Sequence, residues 1–296
     1  MAEHIGFETI NLDIADKIGV ITLNRPEKMN AFTGQMMLDV ISALDVTDAR
    51  DDVGAVIVTG AGRAFCAGAD LSAGAKTFDY DKRDDRPDKD GLDALERLRD
   101  SGGRMVLRLF DSLKPVIGAI NGAAVGVGAT MQLPMDIRIA STTARFGFVF
   151  ARRGIVPEAC SSWFLPRIVG ISQALDWCYS GRVFGAEEAL AGGLVKSLHE
   201  PEDLMPAAYA IAREIVDHAA PVSVALTRHM MWRMLGAAHP MEAHKIDSRG
   251  VYARGQTSDA REGITSFLEK RAPIYENKVS TDLPDFFPWW EEAGFD

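Results

Sequence analysis

Apolar and polar positions along the chain follow two periods. Residues 7–13 (FETINLD) alternate apolar and polar, and 18–23 (IGVITL) form an apolar, β-branched run. With Ala15-Asp16-Lys17 between them, the two predict a β-hairpin. A loop, 24–31 (NRPEKMNA), follows, and Thr33 predicts the cap of a helix reaching about Leu44. Residues 53–59 (VGAVIVT) are apolar without alternation, the pattern of a central strand buried on both faces. This strand empties into small residues at 60–71, GAGRAFCAGADL. The same event recurs at 116–120 (VIGAI), which runs into Gly122, Gly126 and Gly128 spaced among alanines, Val125 and Val127, before another apolar run near Met135. Helical periodicity marks 105–110, 171–179, 186–191, 204–218, 221–235 and 257–271, with a short strand at 194–198. A mixed first part and a nearly all-helical remainder predict an α/β core with a helical appendage, without internal repeats.

A buried strand that breaks into small residues and restarts as a helix leaves backbone N–H groups free at the helix N-terminus. Such groups can hold an anion or an oxyanion, or the stretch can be a tight packing corner. Two such stretches in one chain favour the functional reading. The usual nucleotide signatures are missing: Gly126-Val127-Gly128-Ala129-Thr130-Met131 lacks the last glycine of GxGxxG, and no GxxxxGK[ST] occurs. GxSxG is also absent, and the six histidines are scattered without HExxH or paired Cys/His spacing, so a nucleophile elbow and metal binding are set aside.

Composition narrows the partners. A net charge of −10 argues against nucleic acid or an anionic membrane as the main partner. Cys66, Cys160 and Cys178, an odd set without CxxC, imply reduced thiols in a cytoplasm. No signal sequence or membrane-spanning run is apparent. Residues 76–100 are charge-dense and contain Pro87, which reads as a solvated insertion or a lid beside a pocket.

Six ordered blocks carry a resemblance: LNRPEKMNAFT (23–33), VTGAGRAFCAGADL (58–71), KPVIGAINGAAVGVGATMQLPMDIRIAS (114–141), GIVPE (154–158), AAPVSVALTRHMM (219–231) and EGITSFLEKRAP (262–273). Together they span most of the chain from about residue 5 to 275, and the chain resembles the crotonase (enoyl-CoA hydratase/isomerase) superfamily. The resemblance implies a ββα-spiral core at 1–200, a helical trimerisation region at 201–275, and an acyl-CoA thioester as substrate. It also implies a homotrimer or dimer of trimers. Coenzyme A enters as part of the substrate, with no separate cofactor. The aromatic tail at 276–296 lies beyond these blocks, and its Phe286, Phe287, Trp289 and Trp290 are expected to dock on their own subunit or a neighbour.

Carried over residue by residue, the family's oxyanion hole falls on the backbone amides of Ala67 and Val127, the latter a departure from the glycine of many relatives. Substrate contacts fall on Lys28, Ala31, Ala69, Asp70, Leu71, Phe150, Phe267 and Lys270, and Arg25, Arg63 and Arg271 could add phosphate contacts. Family hydratases use two glutamates, and here Thr130 and Phe150 stand at those positions. Glu158 instead matches the single acidic residue of some family isomerases. One carboxylate can shuttle a proton between two carbons, whereas hydration usually wants a second group to position water. A pocket lined by Phe146, Phe148 and Phe150 would exclude water and raise the carboxyl's pKa. These features favour Δ3,Δ2-enoyl-CoA isomerisation with Glu158 as acid and base. The alternatives are a hydratase or acyl-CoA lyase using Glu158 alone, and a non-catalytic acyl-CoA-binding scaffold. In a purely structural role, Glu158 would cap the helix that starts after it.

Overall fold

The computed structural model describes residues 2–80 and 95–295, so residues 81–94 of the charge-dense insertion lie outside the described residues. Strands β1 (Glu3–Gly6), β2 (Ile10–Ala15) and β3 (Ile18–Leu23) form an antiparallel ribbon, the expected hairpin plus one short exposed strand. Helix α1 (Gly34–Ala49) starts where Thr33 accepts a hydrogen bond from the Met36 amide. It runs past Leu44 because Asp45 and Asp48 are held by Arg108 and the Thr47 hydroxyl bonds back to Leu44.

Three strand pairs then repeat one step. Strand β4 (Ala55–Gly60) turns into β5 (Ala64–Cys66), β6 (Val116–Ile120) into β7 (Ala123–Val125), and β8 (Ile137–Ser141) into β9 (Arg145–Gly147). Helix α2 (Ser101–Phe110) precedes β6, and the one-turn α3 (Val127–Thr130) follows β7. The first strand of each pair joins a seven-stranded sheet, and the second joins a four-stranded sheet. Downstream come α4 (Ser161–Val169), α5 (Ile171–Ser180), β10 (Val183–Gly185), α6 (Ala186–Ala191) and β11 (Ser197–His199). The expected strand at 194–198 is displaced because the Leu194 amide closes the end of α6 on Ala189. Helices α7 (Leu204–His218), α8 (Pro221–Met234), α9 (Pro240–Gly255) and α10 (Ser258–Glu269) complete the chain. Pro166 inside α4 masks that helix in the sequence, and the largely exposed α9 lacks an apolar stripe to mark it.

The larger sheet is parallel from β3 through β4, β6 and β8 to β11. Its β4 is buried on both faces, as its unbroken apolar run requires. Val56 and Val58 pack with Met36, Met37 and Val40 of α1 in the main core. Ala55 and Ile57 face a second core closed by Leu204, Ala208 and Ala212 of α7. Among the described residues no helix is long and apolar enough to cross a membrane.

The aromatic tail docks on its own chain. Trp290 stacks on His229 at 5.1 Å and lies 3.4 Å from the Arg233 guanidinium, both on α8. Trp289 and Phe287 join Val222 and Leu226 in a third small core.

Candidate active site

The smaller sheet decides where the site lies. Strands β5, β7 and β9 are parallel, with one register shift between Ala64 and Cys66, so the segments that follow them leave from one edge of the sheet. Residues 67–70, 126–127 and 149–150 therefore meet there, although they are far apart in sequence. With residues 153–158 and the start of α2, they wall a cavity of about 460 Å³.

The glycine cluster serves both packing and function. A Cβ on Gly128 would sit 1.9 Å from the Cys66 carbonyl oxygen, so α3 can abut β5 only with glycine there. Gly126 takes φ 56° and ψ −126°, which an L side chain rarely adopts. That residue absorbs the left-handed turn and leaves Val127 free of positive φ. Val127 thus opens α3 with an amide that has no intrahelical partner.

The first amide requires a correction. Ala67 lines the cavity, but its N–H donates to the Met29 carbonyl at 3.0 Å and is not available to a ligand. Two residues on, Ala69 forms a parallel bridge with Phe32, in which the Phe32 amide bonds to Gly68 and the Asp70 amide bonds to Phe32. Alternation along an extended segment turns the Ala69 N–H the other way, toward the cavity that Ala69 lines. The unengaged pair is therefore Ala69 and Val127. The sequence pattern could not separate Ala67 from Ala69, because hydrogen-bond parity within the loop is set by its pairing with residues 29–32.

Glu158 sits across this cavity. A tight turn places it, with Ala159 and Cys160 at φ 50° and 54°. The Ser161 amide and hydroxyl bond to the Glu158 backbone carbonyl, so the side chain is not the helix cap. The Thr130 hydroxyl donates to Glu158 Oε1 at 2.5 Å. Burial pushes the Glu158 carboxyl from an ordinary 4.5 up to about 8. The Thr130 hydrogen bond opposes that rise, while the Asp100 charge adds to it. Cys66 and Cys160, beside it, are held as neutral thiols by burial, at about 12 and about 11.

Asp100 and Gly102 went unrecognised in the sequence. Asp100 is the cap of α2, where its Oδ1 accepts from Gly103 N at 2.5 Å and Ala159 N at 3.2 Å. A Cβ on Gly102 would stand 2.3 Å from Glu158 Oε2, so the carboxyl fits only because that position is bare. An Asp-Ser-Gly-Gly helix start was readable as a cap signal, but nothing in the sequence ties it to a residue 58 positions later.

The remaining expected site residues divide. Ala69, Asp70, Leu71 and Phe150 line the cavity together with Ala67, Val127 and Glu158. Lys28, Ala31, Phe267 and Lys270 do not. Lys28 and Ala31 lie on the neighbouring 24–33 loop, tied to the second loop by Arg25, which donates to the Ala31 carbonyl and to Asp70 at 2.5 and 3.0 Å. Phe267 is 80% exposed on α10, and Lys270 ends that helix. Arg271 is spent on Glu262 and Glu269. Phe146 and Phe148 are not pocket walls: they are fully buried, Phe146 stacked on Phe184 and Phe148 on Trp177. Strict alternation would put all three rings on one face, and it is the turn after β9 that brings Phe150, with Val149, to the cavity.

Paired strands that step between two sheets, with a cavity at the ends of the smaller one, define an α/β spiral protein with a ligand site at its strand ends. The family model described as enoyl-CoA hydratase/isomerase matches residues 13–278, and the chain belongs to that family. It is 41% identical over 266 residues to the enoyl-CoA hydratase ACTT3 of Alternaria alternata, covering 90% of this chain and 85% of that one. It is 32% identical over 264 residues to the 1,2-epoxyphenylacetyl-CoA isomerase of Escherichia coli strain K12, covering 87% and 94%. A probable enoyl-CoA hydratase/isomerase from Mycobacterium abscessus superposes with a TM-score of 0.81 at 28% identity, covering 94% of this chain and all of that one. The crotonase-like fold and the superfamily expected from the ordered sequence blocks are both borne out.

Proposed function

We propose that the chain moves the double bond of a 3-enoyl-CoA thioester into conjugation, with Glu158 as its acid and base. The observation that carries this reading is a carboxyl held at about 8 in a largely apolar cavity, opposite two unengaged backbone amides. Ionised Glu158 takes a proton from C2, and the electron pair moves onto the thioester oxygen, where the Ala69 and Val127 amides would stabilise the dienolate. Glu158 then returns the proton to C4, the 2-enoyl thioester forms, and no atom is gained or lost. Asp70 and Leu71 would hold the coenzyme A portion beside the cavity, with Lys28 and Ala31 on the adjoining loop. Phe267 and Lys270 would reach coenzyme A only from a neighbouring copy. Exposed Val251, Tyr252, Ile264, Phe267 and Leu268 on α9 and α10 support self-association into a trimer.

A second reading, hydration of a 2-enoyl-CoA, is favoured by one specific observation: Asp100 puts a second carboxyl in the same cavity. The test is turnover of 3-enoyl-CoA and 2-enoyl-CoA by wild type and Glu158→Gln, with thioester binding measured separately. Isomerase turnover in wild type that is lost in the variant, with binding retained, is the expected result. A 3-hydroxy product from 2-enoyl-CoA would replace the isomerase by the hydratase. Binding without turnover of either would count against both.

A further inference from the structure

We propose that Asp100 is a positioning residue for Glu158, tying the turn that carries it to the start of α2 and setting a second carboxyl beside it in the same cavity. The inference rests on the reading of Glu158 as the acid/base group. Its geometric basis is the start of α2. Asp100 Oδ1 takes the amides of Gly103 and Ala159, one from its own helix and one from the residue following Glu158. It thereby clamps the Glu158 turn to the helix end. Its carboxylate is an acceptor in both bonds and lies at a helix N-terminus, which favours negative charge. The two side chains line the same cavity, where Asp100 favours the protonated form of Glu158.

Two consequences follow for chemistry. Thr130 holds the Glu158 carboxyl directly and Asp100 holds the turn beneath it, while the bare position at Gly102 leaves the carboxyl room. Losing the proton also sets two carboxylates side by side, which makes ionised Glu158 a stronger base for a weakly acidic C–H. A helix cap alone would need neither the Ala159 bond nor the bare glycine.

The other groups around Glu158 do not duplicate this role. From β5, Cys66 stays a neutral thiol, as does Cys160 on the Glu158 segment. Asp70 is paired with Arg25 across the cavity. Arg153 and Tyr80 also line the cavity, Arg153 from the turn after β9. Among the described residues, Asp100 is the one carboxylate whose charge favours protonated Glu158.

The testing substitution is Asp100→Asn, which keeps an oxygen for the Gly103 and Ala159 amides but takes the negative charge from beside Glu158. The protonated-carboxyl infrared band of Glu158, identified by its loss in Glu158→Gln, is titrated in both proteins without substrate. Turnover of 3-hexenoyl-CoA is followed against pH in parallel, and melting curves monitor folding. The expected result is a titration midpoint lowered by about 1 to 2 pH units, an acid limb of turnover shifted alike, and melting unchanged near pH 5, below both midpoints. Coincident midpoints in the two proteins would reduce Asp100 to a helix cap and overturn the proposal, as would a wild-type midpoint near the ordinary glutamate value. Absence of 3-hexenoyl-CoA turnover in wild type would sink the isomerase reading, while the infrared titration still decides the role of Asp100.

Discussion

Glu158→Gln should make the protein more stable while removing the proposed acid/base group. The reason is the direction in which the fold moves that carboxyl. Unfolded, it titrates near 4.5, and in the fold burial pushes it up to about 8. Between those values the folded chain keeps a proton that the unfolded chain has lost, so folding takes up a proton and rising pH works against it. The stability contribution is complete below 4.5 and is gone once pH has risen through about 8. One pH unit corresponds to about 1.4 kcal/mol, so the interval from 4.5 to about 8 sets a ceiling of roughly 5 kcal/mol. Glutamine does not titrate and fits the same space, its amide oxygen accepting from Thr130. The stability difference between variant and wild type should therefore be small near pH 5 and grow toward pH 8. Urea unfolding of both proteins at matched concentration across that range measures it, and the carboxyls that do not touch Glu158 cancel in the difference. A difference that stays flat with pH, or that favours wild type increasingly as pH rises, would refute the desolvated-acid account.

Two further perturbations separate the site from its scaffold. Gly102→Ala improves the intrinsic helix preference of α2 by up to about 1 kcal/mol, yet its Cβ would fall 2.3 Å from Glu158 Oε2 and displace the carboxyl. The expected outcome is a fold at least as stable and turnover reduced by roughly 100-fold or more; near-normal turnover would show that Glu158 can shift without loss. Trp290→Ala removes a ring lying 3.4 Å from the Arg233 guanidinium and stacked on His229, and should cost about 1–2 kcal/mol in urea unfolding. An unchanged unfolding midpoint would mean that the tail adds nothing to the fold.

Some of this protein was written in its local sequence, because local forces suffice for it. The unbroken run at 53–59 can only be a strand covered on both sides, and Val56 and Ile57 do face opposite cores. Thr33 caps α1 with a hydrogen bond that spans three residues. Glu158 was legible as a candidate acid because the blocks around it keep a family order. Other features were decided by tertiary structure. Which alanine of residues 67–69 offers its amide depends on pairing with residues 29–32 from another loop. Which phenylalanine of 146–150 faces the cavity depends on where β9 ends against β7 and β10. Asp100 reaches Glu158 only because α2 runs past the turn at 158–160, a contact made across 58 residues. Patterns repeating every two or four residues carry burial and caps, because those are settled between near neighbours. The chemistry of Glu158 is settled by charge and solvent, and both come from groups that only the completed fold brings together.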